Sequence, residues 1–219
     1  MSKTKREITI PKYTLGEELV NSISHGIGAG LSIWLLVIAI IKAVNVSAMA
    51  VVTVSIYGTT MIMLYTMSCI YHALSPKITG KKVLRVLDHC NVYLLVLGTI
   101  IPIALVGVKG AAGWVLFSLV TFLTIVGIVF TAIDVEKFKV VSVICHLLNG
   151  WGVLFFCKPL VSNIGMNGLV MIILGGVMYS IGAILYGIGA KKKYIHSVFH
   201  FFCLFGSAFH FLAIYLYVI

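Results

Sequence analysis

Charge is what this sequence has least of. Asp, Glu, Lys and Arg make up 10% of its 219 residues, where a soluble domain carries about a quarter. Together with a 61% hydrophobic share, that deficit leaves too little polar surface to face water on every side. Nowhere is there a polar stretch long enough for a separate soluble domain. A CxxC pair is absent. The five cysteines (Cys69, Cys90, Cys145, Cys157, Cys203) are odd in number and lie mostly inside apolar runs. They read as small packing residues rather than a disulfide framework. The opening MSKTKREITIPKYTLGEEL has no apolar core in its first 18 residues, so a cleavable signal peptide is not expected. Internal repeats and low-complexity tracts are missing too. The net charge of +10 does not point to nucleic acid, because the basic residues sit in short connections between apolar runs. There they act as anchors against anionic lipid.

What is there is a series of seven apolar runs, at about 20–42, 48–74, 86–108, 112–132, 140–160, 168–190 and 194–218, each near the roughly 20 residues that a bilayer span needs. Turn and charge signals separate them: Asn45 and Ser47, Ser75-Pro76 to Lys82, Lys109-Gly110, Asp134 to Lys139, Ser162 to Asn167, and Lys191 to Lys193. The runs lack the alternating polarity of barrel strands, so helices are the way to satisfy the backbone in lipid. The expected fold is an all-α integral membrane protein, a bundle of seven transmembrane helices over 20–219 behind an N-terminal segment at 1–19. Thirteen of the basic residues fall on the side of the N-terminus (Lys3, Lys5, Arg6, Lys12, Lys77, Lys81, Lys82, Arg85, Lys137, Lys139, Lys191, Lys192, Lys193), and three (Lys42, Lys109, Lys158) on the other. By the positive-inside rule the N-terminus is cytoplasmic and the C-terminus extracytoplasmic. Ser22, Gly26 and Gly30 share one face of the first helix, as close helix packing requires.

Polar residues inside such spans are functional candidates. Ser68 and His72 close the second span, Asp88 and His89 open the third, and His196 and His200 open the seventh. All six therefore fall at one depth, the cytoplasmic end. His196 and His200, four apart, share a helix face and can offer two imidazoles to one metal. A third histidine from another helix would complete a His₃ set of the catalytic-zinc kind, with the fourth position left for water. Zinc brings the pKa of bound water to about 7, and Asp88 could hold that water and take its proton. Ser68, one turn from His72, could hydrogen-bond a ligand or an oxyanion. His25 and His146 read as hydrogen-bonded helix anchors, although His25 shares a face with Glu18 and could support the site. His89 is about 100° round the helix from Asp88, so both cannot aim at one ion. Cys203 is a lesser alternative ligand. His210 lies about 15 Å beyond His200 along the helix, too deep to join that metal.

At these residues the sequence resembles the hemolysin III family, the bacterial branch of the progestin and adipoQ receptor family. The resemblance spans nearly the whole chain through GEELVNSISHGIG at 16–28, S-C-I-Y-H at 68–72, R-V-L-D-H at 85–89, G-T-I-I-P at 98–102 and H-S-V-F-H at 196–200. It implies a seven-helix fold in the bacterial inner membrane and a zinc site near the cytoplasmic face. Within it His72, His196 and His200 match the zinc ligands, Asp88 the aspartate that contacts zinc-bound water, and Ser68 the serine of S-x-x-x-H. The wider superfamily includes alkaline ceramidases and membrane-bound, metal-dependent hydrolysis. One departure is Ile100-Ile101, where relatives often carry Tyr-Thr. It removes a hydroxyl and an aromatic ring near the cavity. Three functions are consistent with this pattern: a zinc-dependent hydrolase of lipid amides or esters, a membrane sensor with structural zinc, and a cytolytic protein. Against cytolysis, the chain has no polar stripe running through a whole helix. The expected partners are the bilayer and a lipid-like substrate.

Overall fold

In the first helix the usual polarity is inverted. Leu19, Ile23, Ile27, Leu31, Trp34 and Ile41 point outward, while Asn21, Ser24, His25, Gly28 and Ser32 are buried. Small and polar residues inside with large apolar ones outside is the pattern of a helix solvated by lipid. The pattern is seen in a computed structural model of the chain, which describes residues 9–189 and 192–219. Lys3, Lys5, Arg6 and Lys191 lie outside the described residues.

Among the described residues the fold is all helix. The elements are α1 (Leu15–Ala43), α2 (Ala48–Ala73), α3 (Gly80–Pro102), α4 (Gly110–Ile133), α5 (Lys139–Trp151), α6 (Cys157–Gly189) and α7 (Ile195–Ala213). Past Pro102, which has no N–H to give, α3 runs on as a π-helical turn over Ile103–Val108. A 3₁₀ stretch, Gly152–Phe156, joins α5 to α6, and α7 ends in a π-helical turn over Ile214–Val218.

Among the described residues six helical segments are long and apolar enough to cross a membrane: Leu15–Ala43, Ala48–Ala73, Gly80–Val108, Gly110–Ile133, Lys139–Gly189 and Ile195–Val218. The chain is a multi-pass membrane protein. The fifth segment has 51 residues, against a hydrocarbon core about 30 Å thick. The sequence predicts a loop at 162–167. The chain is instead helical on both sides of one residue, Gly165, whose φ of 72° and ψ of 172° break the helix. Only glycine adopts that conformation readily.

Two further boundaries differ from the expectation. Helix α1 starts five residues earlier than its apolar run, because Thr14 and Glu17 form a capping box that satisfies the first N–H groups. Helix α3 starts at Gly80 rather than near 86, so Asp88 stands more than two turns inside it. Helix α1 packs along α2, α2 along α3 and α6 along α7, with α1 also against α7. The hydroxyls of Tyr57 and Tyr65 on α2 donate to the carbonyls of Ser207 and Cys203 on α7. These ties bring the histidine-bearing ends of α2 and α7 together.

Candidate metal centre

The last turn of α2 and the first two turns of α7 present three buried histidines, His72, His196 and His200, at 2%, 8% and 1% exposure. Each offers one ring nitrogen, and the three nitrogens lie within 4.8 Å of one another. Nε2 of His196 and Nε2 of His200 are 3.2 Å apart. Two nitrogens bound tetrahedrally to one zinc, at 2.0–2.1 Å each, stand about 3.3 Å apart. His72 turns Nδ1 to the Glu18 carboxylate at 2.6 Å and leaves Nε2 with no hydrogen-bond partner. A carboxylate only accepts, so Nδ1 carries the hydrogen and Nε2 keeps its lone pair. The donor set and its spacing fit a divalent metal with a preference for nitrogen.

Glu18 has a second partner. Its other oxygen accepts from Lys81 Nζ at 2.6 Å, and Lys81, fully buried, also donates to the Leu74 carbonyl at 2.7 Å. Asn21 Nδ2 lies 3.4 Å from His72 Nδ1. His25 stacks on His200 with ring centroids 3.8 Å apart. It keeps both ring nitrogens unpartnered, so it is packed against the cluster rather than anchored by a hydrogen bond. Toward the end of the bundle, Tyr13 stacks on His196 at 4.9 Å and sits 5.8 Å from His72. Burial pushes its phenol well above the usual tyrosine pKa. The segment bearing Tyr13 is latched at Thr9. The carbonyl of Thr9 accepts from Arg85, its hydroxyl donates to Glu136, and Arg85 pairs with Glu136 in turn.

Beside the triad lies a cavity of about 590 Å³, lined by His196, His200, His25, Ser68, Asp88 and His89 at its polar end. Leu64, Val92, Leu95, Ile100 and Ile103 form its apolar walls. Ser68 and Asp88 line the cavity together. Asp88 is not part of the three-histidine group. His89 meets the edge of Tyr186. Cys203 lines the cavity but does not join the triad, and His210 is likewise outside it. His146 is held by the Ser142 carbonyl at 2.6 Å and stacks on Tyr93.

Sequence reasoning brought forward the three histidines, Ser68 and Asp88, and all five meet around this end of the bundle. It did not find the direct contact of Glu18 with His72, the burial of Lys81, or Tyr13. A carboxylate and an ammonium at the edges of apolar runs were the available signal, since such charges are costly without partners.

A multi-pass helical membrane protein with a buried group of three histidines that could hold a metal ion is thus defined by fold and site. The chain belongs to the hemolysin III family. The family profile described as "Haemolysin-III related" matches residues 13–211. The chain is 38% identical over 205 residues to Hemolysin-3 of Bacillus cereus, covering 93% of this chain and 92% of that protein. It is also 38% identical over 208 residues to the Hemolysin-3 homolog of Bacillus subtilis (strain 168), covering 94% and 97%.

Proposed function

We propose that the protein is a zinc-dependent hydrolase of lipid amide or ester bonds, working at the cytoplasmic end of seven transmembrane helices in the bacterial inner membrane. The observation that carries this reading is a group of three metal-competent imidazoles, two of which, His196 and His200, border one cavity together with Ser68, Asp88 and an apolar wall. Seven crossings follow if the Lys139–Gly189 stretch passes twice, with Gly165 at its turn. With Lys and Arg concentrated on the side of the N-terminus, residues 1–19 are cytoplasmic, 20–219 form the membrane domain, and the C-terminus is outside.

His72, His196 and His200 would hold the metal, with Glu18 fixing the tautomer of His72. When bound, zinc supplies a Lewis acid that polarises a carbonyl and makes water acidic. Asp88 then acts as general base. It takes a proton from the attacking water as the new C–O bond forms, and returns it to the departing amine or alcohol as the C–N or C–O bond breaks. Ser68 orients Asp88. Tyr13 and the latched segment before it exclude cytoplasmic water, so the substrate enters from the bilayer and its chain lies along the apolar wall. A cavity of about 590 Å³ is of the size that takes a single small amphiphile.

The test is hydrolysis of long-chain amides and esters by detergent-purified protein. His72→Ala should lose metal and activity together, whereas turnover by a metal-free His72→Ala variant refutes the reading. A second reading, a membrane sensor with structural zinc, is favoured by Tyr13 lying over the triad. Asp88→Asn separates the two, since a structural site tolerates it and the hydrolase does not. Lysis, which the relatives' names carry, requires dye release from liposomes at low protein dose.

A further inference from the structure

The charged residues that border the cavity do not all find partners. Arg85 is held by Glu136 and by the Thr9 carbonyl. Glu17 caps α1 at Thr14 and accepts from the Tyr194 amide at 2.7 Å. Lys12, Lys192 and Lys193 are exposed and read as anchors at the membrane surface. Lys139 is different. It is the first residue of α5, partly buried, and it lines the cavity. Its ammonium lies over the ring of Tyr186, 4.5 Å from the centroid. Tyr186 lines the cavity too, and its ring stands 6.1 Å from that of His196 in the triad. The ammonium is therefore at the cavity's rim, one aromatic ring from a metal-competent imidazole. An aromatic face attracts a cation but accepts no ordinary hydrogen bond and carries no counter-charge. Among the described residues Lys139 makes no hydrogen bond through its side chain and no ion pair, with Asp88 or any other acid. Nor is its Nζ one of the unpartnered atoms sealed from solvent, so it is open to a ligand. The Tyr186 hydroxyl is likewise unpartnered and unsealed.

We propose that the Lys139 ammonium, with the Tyr186 hydroxyl beside it, is an anion site at the rim of the cavity, and that the favoured substrate is an anionic glycerophospholipid. This rests on the hydrolase reading and names the kind of lipid it acts on. With a single aromatic ring between the ammonium and His196, the anion must sit only a few bonds from the group held at the triad. In a glycerophospholipid the phosphate stands that close to the acyl ester, whereas a diacylglycerol or a neutral lipid amide has no charge there. Phosphate oxygens would give Lys139 the charge-assisted hydrogen bonds that it lacks. Lys139 is not one of the three metal-competent residues, so its role is in specificity.

The test compares binding of dioctanoyl phosphatidate and dioctanoylglycerol, which differ only in the phosphate, to the full-length protein in a neutral detergent. The wild type should prefer the phosphatidate by about 10-fold, between the scale of an exposed ion pair and that of a buried hydrogen bond to a charge. Lys139→Met, or the equally neutral Lys139→Gln where the first does not fold, should bring the phosphatidate down to the affinity of the diacylglycerol at wild-type metal content. Lys139→Arg, which keeps a cation, should retain most of the preference. So should Lys192→Met/Lys193→Met, because those side chains supply only surface charge. Equal affinity for the two lipids in the wild type overturns the proposal. So does a preference that the neutral Lys139 variants leave intact, which places the phosphate on the metal, or one that Lys192→Met/Lys193→Met abolishes, which places it on surface charge. Inorganic phosphate that displaces the phosphatidate at equal concentration assigns the site to the free ion and overturns the lipid. Each of these results leaves the hydrolase reading standing, whereas failure of both lipids to bind overturns that reading along with the proposal.

Discussion

Glu18→Ala is the sharpest perturbation of the support behind the triad. Glu18 holds His72 Nδ1 and Lys81 Nζ, both at 2.6 Å, so its removal has two separable effects. Losing the carboxylate that orients a metal-ligating histidine costs about 10- to 100-fold in metal affinity, or about 1.4–2.7 kcal/mol. Stranding the fully buried Lys81 costs stability as well, and breaking a buried pair from one side costs about 3–5 kcal/mol. The remaining bond to the Leu74 carbonyl and the partial exposure of Glu18, 15% of its side chain, place Glu18→Ala at the low end. The double variant Glu18→Ala/Lys81→Met removes the stranded charge. It should regain most of the lost thermal stability in detergent yet still bind zinc about 10- to 100-fold more weakly in competition with a chromophoric chelator. Wild-type zinc affinity in the double variant would refute the assignment of Glu18 as the partner that sets the tautomer of His72.

Tyr13→Ala should speed extraction of metal by a water-soluble chelator severalfold with little change in equilibrium affinity, because Tyr13 covers His196 without offering a ligand; unchanged extraction kinetics would contradict its covering role. The latch at Thr9 should be pH-dependent. Burial alone would raise the Glu136 carboxyl, but the hydrogen bond and charge of Arg85 outweigh it and hold the carboxyl below the ordinary glutamate value. The latch is therefore fully present above that ordinary value and is lost as pH falls through the lowered one, which limited proteolysis of the N-terminal segment across pH 3–6 should register as onset of cleavage at the acidic end. Gly165→Ala should lower thermal stability by about 1–3 kcal/mol, the cost of a side chain at a backbone conformation open essentially to glycine alone; an unchanged melting temperature would mean that the break in α6 lies elsewhere.

The spans were legible because lipid demands unbroken apolar runs, and positions such as Ala48 and Gly110 were bracketed by ordinary turn and charge signals. Helix starts were less so. The apolar run of α1 begins at Val20, but the capping chemistry of Thr14 and Glu17 extends the helix back to Leu15, and hydropathy is blind to capping. The triad was legible from periodicity, since the spacing of His196 and His200 fixes a shared face and the depth of His72 at the end of α2 matches theirs. Partners from distant segments were not. The bridge from Glu18 to Lys81 joins residues 63 apart, and Tyr13 precedes any helix, so no periodic pattern connects either to the site. Ser68 was read as a group for ligand or oxyanion. Its place beside Asp88 on the wall of one cavity follows from how α2 and α3 lie side by side, and spacing within one helix does not encode that.

The account depends on three imidazoles sharing one ion. Elemental analysis by mass spectrometry of detergent-purified wild type, beside His72→Ala and His196→Ala prepared identically, measures this directly. One zinc per chain in the wild type and almost none in either variant is the predicted result. A wild type purified without metal that also fails to take up zinc on titration, or a His196→Ala variant that retains a full equivalent, would contradict it.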